Sequence, residues 1–221
     1  LNQLSVLTND LLLYSATLSG FVAESMVLSG GRQFLDLGRR IERASSVLLI
    51  CSGVLEQPEV YQRGRMEAAL RLMLQLCDSV ITYRSRYFGV VQPAPVLDLL
   101  LLDEDNPRGV AYQLAALRNS LNVLASDSPS MPEVLRSASY ELAETAETIR
   151  TTLAGMVASV VSSSNQDTAA AGLPTALKDM QGAVLQLSEQ IGRSYFSILN
   201  SPRLVGIGNE TPIDMDDGAS A

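Results

Sequence analysis

Apolar residues recur along the chain at three- and four-residue intervals, and no stretch shows the sustained alternation of a β-strand. This spacing predicts helices over residues 4–28, 32–55, 62–88, 107–125, 130–161 and 174–199, with a short apolar segment at 96–102. Long helices with short connections favour an all-α, antiparallel bundle of six to seven helices. A coiled coil is the rival interpretation, but the apolar stripes are too wide for a two-residue seam.

Glycine, proline and capping residues predict where these helices end. Gly30-Gly31 is a helix stop, and Asn106 is expected to cap a helix whose first residue is Pro107. Residues 130–133 read Ser-Met-Pro-Glu, the pattern of a capping box. The small and polar residues 162–172 are expected to form a loop.

Two regions follow from these boundaries. We expect residues 1–199 to form the bundle and residues 200–221 to form a disordered acidic tail, because glycine, proline and aspartate dominate the tail. A hydrophobic content of 47% is ample for a core.

The apolar run near residues 97–102 is too short to cross a bilayer, and no signal peptide opens the chain. A cytoplasmic protein is therefore expected, and the first residue, Leu rather than Met, suggests a piece of a longer one.

The absence of histidine removes whole classes of chemistry. Without histidine there is no Ser-His-Asp or Cys-His catalysis, and the commonest metal ligand is missing. Cys51 and Cys77 lie within apolar runs, so buried thiols in a reducing compartment are expected rather than a disulfide. We expect no metal site and no cofactor.

The net charge of −8 argues against nucleic acid as a partner, because phosphate binding relies on a basic face. The cations are nevertheless unusual, since Lys178 is the one lysine and every other cation is arginine. Arginine is the side chain suited to bidentate pairing with a carboxylate or phosphate. The bias indicates organised ion pairs.

The densest charged feature lies on the second predicted helix. Arg32, Asp36, Arg39 and Arg43 fall on one narrow stripe, and Asp36 is also placed to pair with Arg40. Three arginines on a stripe repel one another unless an anion lies between them. That anion is either an acid of a neighbouring helix or a bound anionic ligand or partner protein.

Arg84 continues the apolar stripe of the third predicted helix, so its guanidinium is expected to point inward or into a cleft. A buried arginine must be paired, and the candidate partners are Glu42 or an acid of residues 103–105. The neighbours expected at the helix surface or rim are Tyr83, Arg86 and Tyr87.

A polar cluster marks the start of the next predicted helix. Asp103, Asp105, Asn106 and Arg108 lie together there. Helix capping explains the acids more simply than Mg²⁺ binding, although two or three carboxylates could hold that ion.

Three blocks of sequence, in order, resemble the bacterial alpha-E family. They are Phe34-Leu-Asp-Leu-Gly-Arg-Arg-Ile-Glu-Arg-Ala44, Asp78-Ser-Val-Ile-Thr-Tyr-Arg-Ser-Arg-Tyr87 and Val96-Leu-Asp-Leu-Leu-Leu-Leu-Asp-Glu-Asp-Asn-Pro-Arg108 with Gln113-Leu114. The Glu-Arg motif for which the family is named corresponds to Glu42-Arg43.

The resemblance implies a partner rather than an activity. Family members accompany, or are fused to, a circularly permuted ATP-grasp protein, often with a transglutaminase-like protein, in what looks like amide ligation or peptide modification. An accessory or substrate-presenting module is therefore expected, with an anion or partner held by Arg39, Arg43, Arg84 and Arg108. Asp36, Arg40, Asp103 and Asn106 are the expected supporting residues. Two alternatives stay open, a structural bundle that forms homo-oligomers and an enzyme that uses Glu42 as its base.

The chain departs from the family pattern at its start. Members usually open with a further helical segment that carries an earlier Gly-Arg and Glu-Arg-Ala motif, and this segment is expected to be missing here. The first helix is then expected to expose apolar surface.

Overall fold

The computed structural model describes residues 2–25, 31–62, 64–126, 131–162 and 166–196. Within these ranges the chain forms eight α-helices and no strand, which confirms the all-α class. The helices are α1 (Asn2–Ser25), α2 (Gly31–Leu55), α3 (Met66–Leu76), α4 (Val80–Arg86), α5 (Pro93–Leu97), α6 (Val110–Ser126), α7 (Glu133–Ser162) and α8 (Gln166–Phe196). A 3₁₀ turn at Pro58–Tyr61 and a π-helical turn at Asp98–Leu102 complete the order.

Helices α2, α6, α7 and α8 form the body of the bundle, with α2 and α7 each packed against both α6 and α8. Ser139, near the start of α7, hydrogen-bonds Tyr195, near the end of α8, so these two helices run antiparallel. Helices α2 and α8 are also antiparallel. Phe34 at the start of α2 contacts Tyr195 at the end of α8, with ring centroids 4.8 Å apart.

The core consists of leucine-rich faces of α2, α3, α6, α7 and α8. Its fully buried large side chains include Leu37, Leu48, Leu70, Met73, Leu114, Leu117, Leu121, Leu153 and Leu177. Leu99, Leu100 and Leu101, three successive residues of the π-helical turn, are also fully buried. Both cysteines are free and buried, as expected from their apolar surroundings.

The third predicted helix is wrong as a continuous element, because the chain breaks between α3 and α4. Asp78 adopts a left-handed conformation with φ 49°. The amide of Ser79 donates to the carbonyl of Leu74 at 2.8 Å, and the amide of Asp78 donates to that of Gln75 at 3.1 Å. These two bonds form a Schellman motif, which satisfies the last carbonyls of α3 and ends it.

The break changes which side chains of α4 face the core. In an uninterrupted helix, Arg84 would lie on the same inward face as the buried residues of α3. Because the chain breaks between them, the side-chain directions of α4 do not continue those of α3. Tyr83 is therefore buried, with 3% exposure, and Arg84 is exposed. Tyr83 was expected at the helix surface or rim, so that prediction is wrong, and of the two positions expected for Arg84 the inward one does not occur.

Two further boundaries differ from the predictions. The expected loop at 162–172 is helical from Gln166 onward, and Pro174 lies inside α8. Three consecutive alanines at 169–171 favour the helix through their high helix propensity. This opposes the destabilisation by Pro174, which lacks the N–H of one helical hydrogen bond. The predicted features at Gly30, Ser130 and 200–221 lie outside the described residues.

Helix α1 exposes a large apolar surface. It carries nine large apolar side chains that are 48–67% exposed, namely Leu4, Val6, Leu7, Leu11, Leu12, Leu13, Tyr14, Leu18 and Phe21. This agrees with the expectation for the first helix. No helix in the described ranges is both long enough and apolar enough to span a membrane.

Candidate functional site

A groove of about 840 Å³ lies along one face of α2. Its floor is formed by residues that recur every three or four positions and therefore share a helix face. The α2 residues that line it are Phe34, Leu35, Gly38, Arg39, Glu42, Arg43, Ser46, Val47 and Ile50. The opposite wall consists of Leu76, Cys77, Asp78 and Arg108.

The groove brings together three of the four arginines predicted to bind an anion or partner. Arg39 and Arg43 stand one helical turn apart on α2, and Arg108 faces them from the segment that precedes α6. Glu42, the predicted candidate base, lies between the two α2 arginines and is exposed. The Glu-Arg dipeptide thus lies on the groove.

The charges of the α2 face are not neutralised within the described part of the chain. Arg39 donates from Nη2 to Ser19 Oγ at 3.2 Å but forms no ion pair there, and neither Arg43 nor Glu42 has an ion pair or side-chain hydrogen bond. The predicted arginine stripe is therefore divided. Asp36 pairs with Arg40 at 3.3 Å, whereas Arg39 and Arg43 line the groove and form no ion pair with a described residue.

Arg108 is held in place by an ion pair and by the turn in which it lies. Its Nη2 is 2.5 Å from Asp78 Oδ2, so the residue that ends α3 also anchors the opposite wall. Asn106 is fully buried, accepts the Arg108 amide on Oδ1 at 3.2 Å and donates from Nδ2 to Leu99 O at 2.9 Å. The carbonyl of Leu99 lies only 3.1 Å from where a Cβ of Gly109 would stand, so the turn packs tightly on the π-helical segment.

Asn106 therefore does not cap a helix that begins at Pro107, as was expected. Helix α6 begins at Val110 rather than at Pro107, and Asn106 caps the turn before the helix. Its physical role is to tie that turn to the buried π-helical segment, which fixes the position of Arg108.

Arg40 supports the site from behind rather than lining it. Its Nη1 donates to Gln113 Oε1 at 3.3 Å, and Gln113 Nε2 donates in turn to the carbonyl of Pro107. Its guanidinium carbon lies 5.6 Å from the centroid of the Tyr112 ring, within cation–π range. Asp36, Arg40 and Gln113 thus brace the turn that carries Arg108 against α2.

Arg84 does not join the groove. It lies in a separate cleft of about 260 Å³ that is lined also by Arg71, Tyr83 and Tyr87. No ion pair of Arg84 with Glu42 or with residues 103–105 occurs among the described residues. The expected ion pair of Arg84 is therefore wrong, whereas its expected position in a cleft is met by this second cleft, and its role in binding stays a prediction.

Two of the three acids of residues 103–105 pair with arginines of α4 and α7. Asp103 pairs with Arg86 and accepts the Asp105 amide on Oδ1 at 2.8 Å. Glu104 is 2.5 Å from Arg150 Nη1. Ion pairing and capping account for this segment, and the described residues contain no cluster of three potential metal ligands.

A thiol pair lies at the base of the groove wall. A hydrogen bond from Cys51 lowers the pKa of the Cys77 thiol, although burial opposes this shift. The same hydrogen bond, together with burial, raises the pKa of Cys51 well above its ordinary value. Cys77 is therefore the more acidic thiol of the two, and it is the one that borders the groove.

Besides the apolar lining, sequence reasoning did not assign Gly38, Ser46, Cys77 and Asp78 to a site. Gly38 and Ser46 could have been found, because they lie at helical spacing from Arg39 and Glu42 on the same face. The sequence gives only a weak indication that the helix ends at Asp78. Aspartate tolerates the left-handed conformation, but the apolar pattern around it continues as if the helix did not end.

Comparison with known proteins agrees with the observed fold. A family model described as "Alpha-E: A predicted alpha-helical domain with a conserved ER motif" matches residues 2–196. The chain is 35% identical, over 155 residues, to uncharacterized proteins of Mycobacterium bovis and of two strains of Mycobacterium tuberculosis. Each match covers 65% of this chain and 17% of the relative, so the chain spans less than a fifth of these curated relatives. No solved structure matches the chain.

Proposed function

Because the chain belongs to the alpha-E family, we propose that it is an accessory or substrate-presenting module of an ATP-grasp-type amide ligase. In this role it works in peptide synthesis or modification, beside or fused to a circularly permuted ATP-grasp protein. A transglutaminase-like protein is a further proposed partner. The chain supplies recognition, and the ligase supplies ATP chemistry.

One observation carries the proposal, the pair of groove arginines that form no ion pair within the described residues. Most arginines of the described chain are in ion pairs, as Arg86 is with Asp103 and Arg150 is with Glu147. Arg39 and Arg43 are left free to bind an anion that comes from outside. A guanidinium pairs with a carboxylate or acyl phosphate through charge-assisted hydrogen bonds.

The chemistry of the groove also fits binding better than independent catalysis. Glu42 is the one carboxylate on its α2 face, and it is exposed and has no partner to orient it among the described residues. A general base is usually held in position by neighbouring hydrogen bonds. The matched relatives are much longer than this chain, which is consistent with a module that acts in a larger assembly.

The test is ATP turnover by the circularly permuted ATP-grasp protein with and without this chain. We expect the chain to stimulate turnover and Arg43→Ala to reduce the chain's apparent affinity about tenfold or more, because a charge-assisted contact is lost. Arg71→Ala is the matched control, since Arg71 is half-exposed on α3 and pairs only with Glu67 at 2.6 Å. Circular dichroism checks that both variants keep their helicity.

An absence of stimulation by the wild-type chain contradicts the proposal. Equal stimulation by the wild-type and Arg43→Ala chains would show that the groove is not the working surface. A Glu42→Gln chain that retains full stimulation excludes a catalytic base at this position.

The exposed apolar surface of α1 favours a second candidate function, a bundle that assembles through this helix. Its nine exposed large apolar side chains form more apolar surface than one helix usually presents to water. Light scattering over a range of concentrations tests this alternative. A monomer at all concentrations contradicts it.

A further inference from the structure

The groove combines free charges of both signs within one helical turn. Arg39, Glu42 and Arg43 lie at relative positions i, i+3 and i+4 of α2, close enough for an arginine and the glutamate to pair. None of the three forms an ion pair within the described residues, and their one side-chain hydrogen bond is the one from Arg39 to Ser19. Both an anionic and a cationic group of a ligand can therefore find an opposite charge here.

The space between the charges is open at its base. Gly38 lies on the floor between Leu35 and Glu42, and, apart from its chain neighbours and the backbone of its own helix, no atom lies within 4 Å of where its Cβ would stand. A ligand can approach the backbone of α2 at this point. The groove volume of about 840 Å³ lies within the range of small-molecule sites.

Apolar side chains form the remainder of the lining. Phe34 is fixed at one end by Tyr195 and by Phe196, whose ring centroid is 5.2 Å away. Ile50 and Leu76 add apolar lining from α2 and from the end of α3. A ligand that carries an apolar side chain would therefore bury it beside the charged groups.

Arg108 contributes less free charge than the two α2 arginines. Asp78 already neutralises it at 2.5 Å, so the uncompensated groups are two arginines and one glutamate. A simple anion would be repelled by Glu42 and would leave the apolar walls uncovered. A simple cation would be repelled by the arginines.

We propose that the groove binds a zwitterionic amino compound with an apolar side chain, either a free α-amino acid or a short peptide. Its carboxylate lies against Arg39 and Arg43, its ammonium group lies against Glu42, and its side chain packs on the apolar walls. An amine is the nucleophile of amide ligation, so this inference rests on the proposed function for its biological role. The binding itself does not depend on the ligase.

Calorimetric titration of the full chain tests the proposal, with leucine and leucyl-leucine as probes. Blocking either charged end should weaken binding about tenfold to a hundredfold, because one charge-assisted contact is lost each time. N-acetyl-leucine and leucinamide block the two ends of the amino acid. The corresponding capped dipeptides block the two ends of leucyl-leucine. Whichever of leucine and leucyl-leucine binds more tightly shows whether the ligand is a free amino acid or a peptide.

Three variants separate the contacts. Glu42→Gln should abolish the preference for leucine over N-acetyl-leucine, and Arg43→Ala should abolish the preference over leucinamide. Gly38→Leu should block all probes, because the new side chain fills the groove floor without meeting other atoms at its Cβ. Arg71→Ala is the control and should bind as the wild-type chain does.

The result that overturns the inference is the absence of binding by both free probes at millimolar concentration. Equal binding of free and end-capped probes overturns it as well. Probe binding without stimulation of the ATP-grasp protein would contradict the proposed function and leave the ligand class standing. Stimulation that depends on Arg43, without binding of either probe, would support the proposed function and contradict the ligand class.

Discussion

At the scale of single residues, Asp78 links the backbone of the bundle to the candidate site. It ends α3 in the left-handed conformation, where glycine is the residue without steric cost, and its carboxylate holds Arg108 at 2.5 Å. The Cys77 thiol that precedes it borders the same groove. Asp78 therefore combines a left-handed backbone conformation with a side-chain contact that glycine cannot provide.

Substitution of Asp78 separates these two roles. Asp78→Gly should raise the free energy of unfolding above that of Asp78→Ala by about 1–2 kcal/mol, because alanine has a Cβ that is disfavoured in the left-handed region. Urea unfolding followed by circular dichroism measures the difference. Equal stability of the two variants would show that the α3–α4 break does not require a left-handed residue in solution.

At the scale of the helices, α1 and α6 contrast most strongly. Leu11 on α1 is 57% exposed, whereas Leu117 on α6 is 1% exposed and belongs to the core. The two leucines have the same chemistry and similar helical surroundings. Burial alone therefore decides what each contributes to stability.

Alanine substitutions at these two leucines test that contrast. Leu117→Ala should lower the free energy of unfolding by about 2–5 kcal/mol through the cavity that it leaves. Leu11→Ala should change it by no more than about 0.5 kcal/mol, as at other exposed sites. If Leu11→Ala were as costly as Leu117→Ala, α1 would be covered in solution, and the cost should then depend on protein concentration.

At the scale of the whole molecule, a charge network joins α6, α7 and the segment before α6. Arg150 contacts Glu147 at 2.5 Å and Glu104 at 2.5 Å, and Arg118 approaches Glu147 at 3.5 Å. The hydrogen bond from Arg150 lowers the pKa of Glu147 below its ordinary value of 4.5, although burial partly opposes this shift. The folded state therefore holds this carboxylate ionised more strongly than the unfolded chain does.

Acid should weaken this network in a predictable direction. A carboxyl whose pKa is lowered on folding stabilises the protein at neutral pH, and this stabilisation is lost as the pH falls below about 4.5. Glu147→Gln should lower the Tm at pH 7 and reduce the fall in Tm between pH 7 and pH 3. Glu189→Gln, which removes an exposed pair with Arg193 at 3.1 Å, should change neither quantity appreciably. A Tm difference at pH 7 that persists unchanged at pH 3 would contradict the role of the Glu147 charge.

The sequence by itself determined the all-α class, the extent of α2 and α7 and the burial of both cysteines. These features depend on local periodicity, helix propensity and apolar surroundings, which neighbouring residues reveal. It also determined that Arg39 and Arg43 share one helix face, because spacing along a single helix fixes that geometry.

Only the tertiary structure decided which charges are satisfied and which are not. Asp36 pairs with Arg40 rather than Arg39, and Arg84 lies outside the groove because the left-handed Asp78 resets the phase of α4. Arg108 joins the groove through Asp78, thirty positions earlier in the chain. Such contacts depend on how separate helices are oriented against each other, and the local pattern of apolar residues does not encode the partner of an exposed charge.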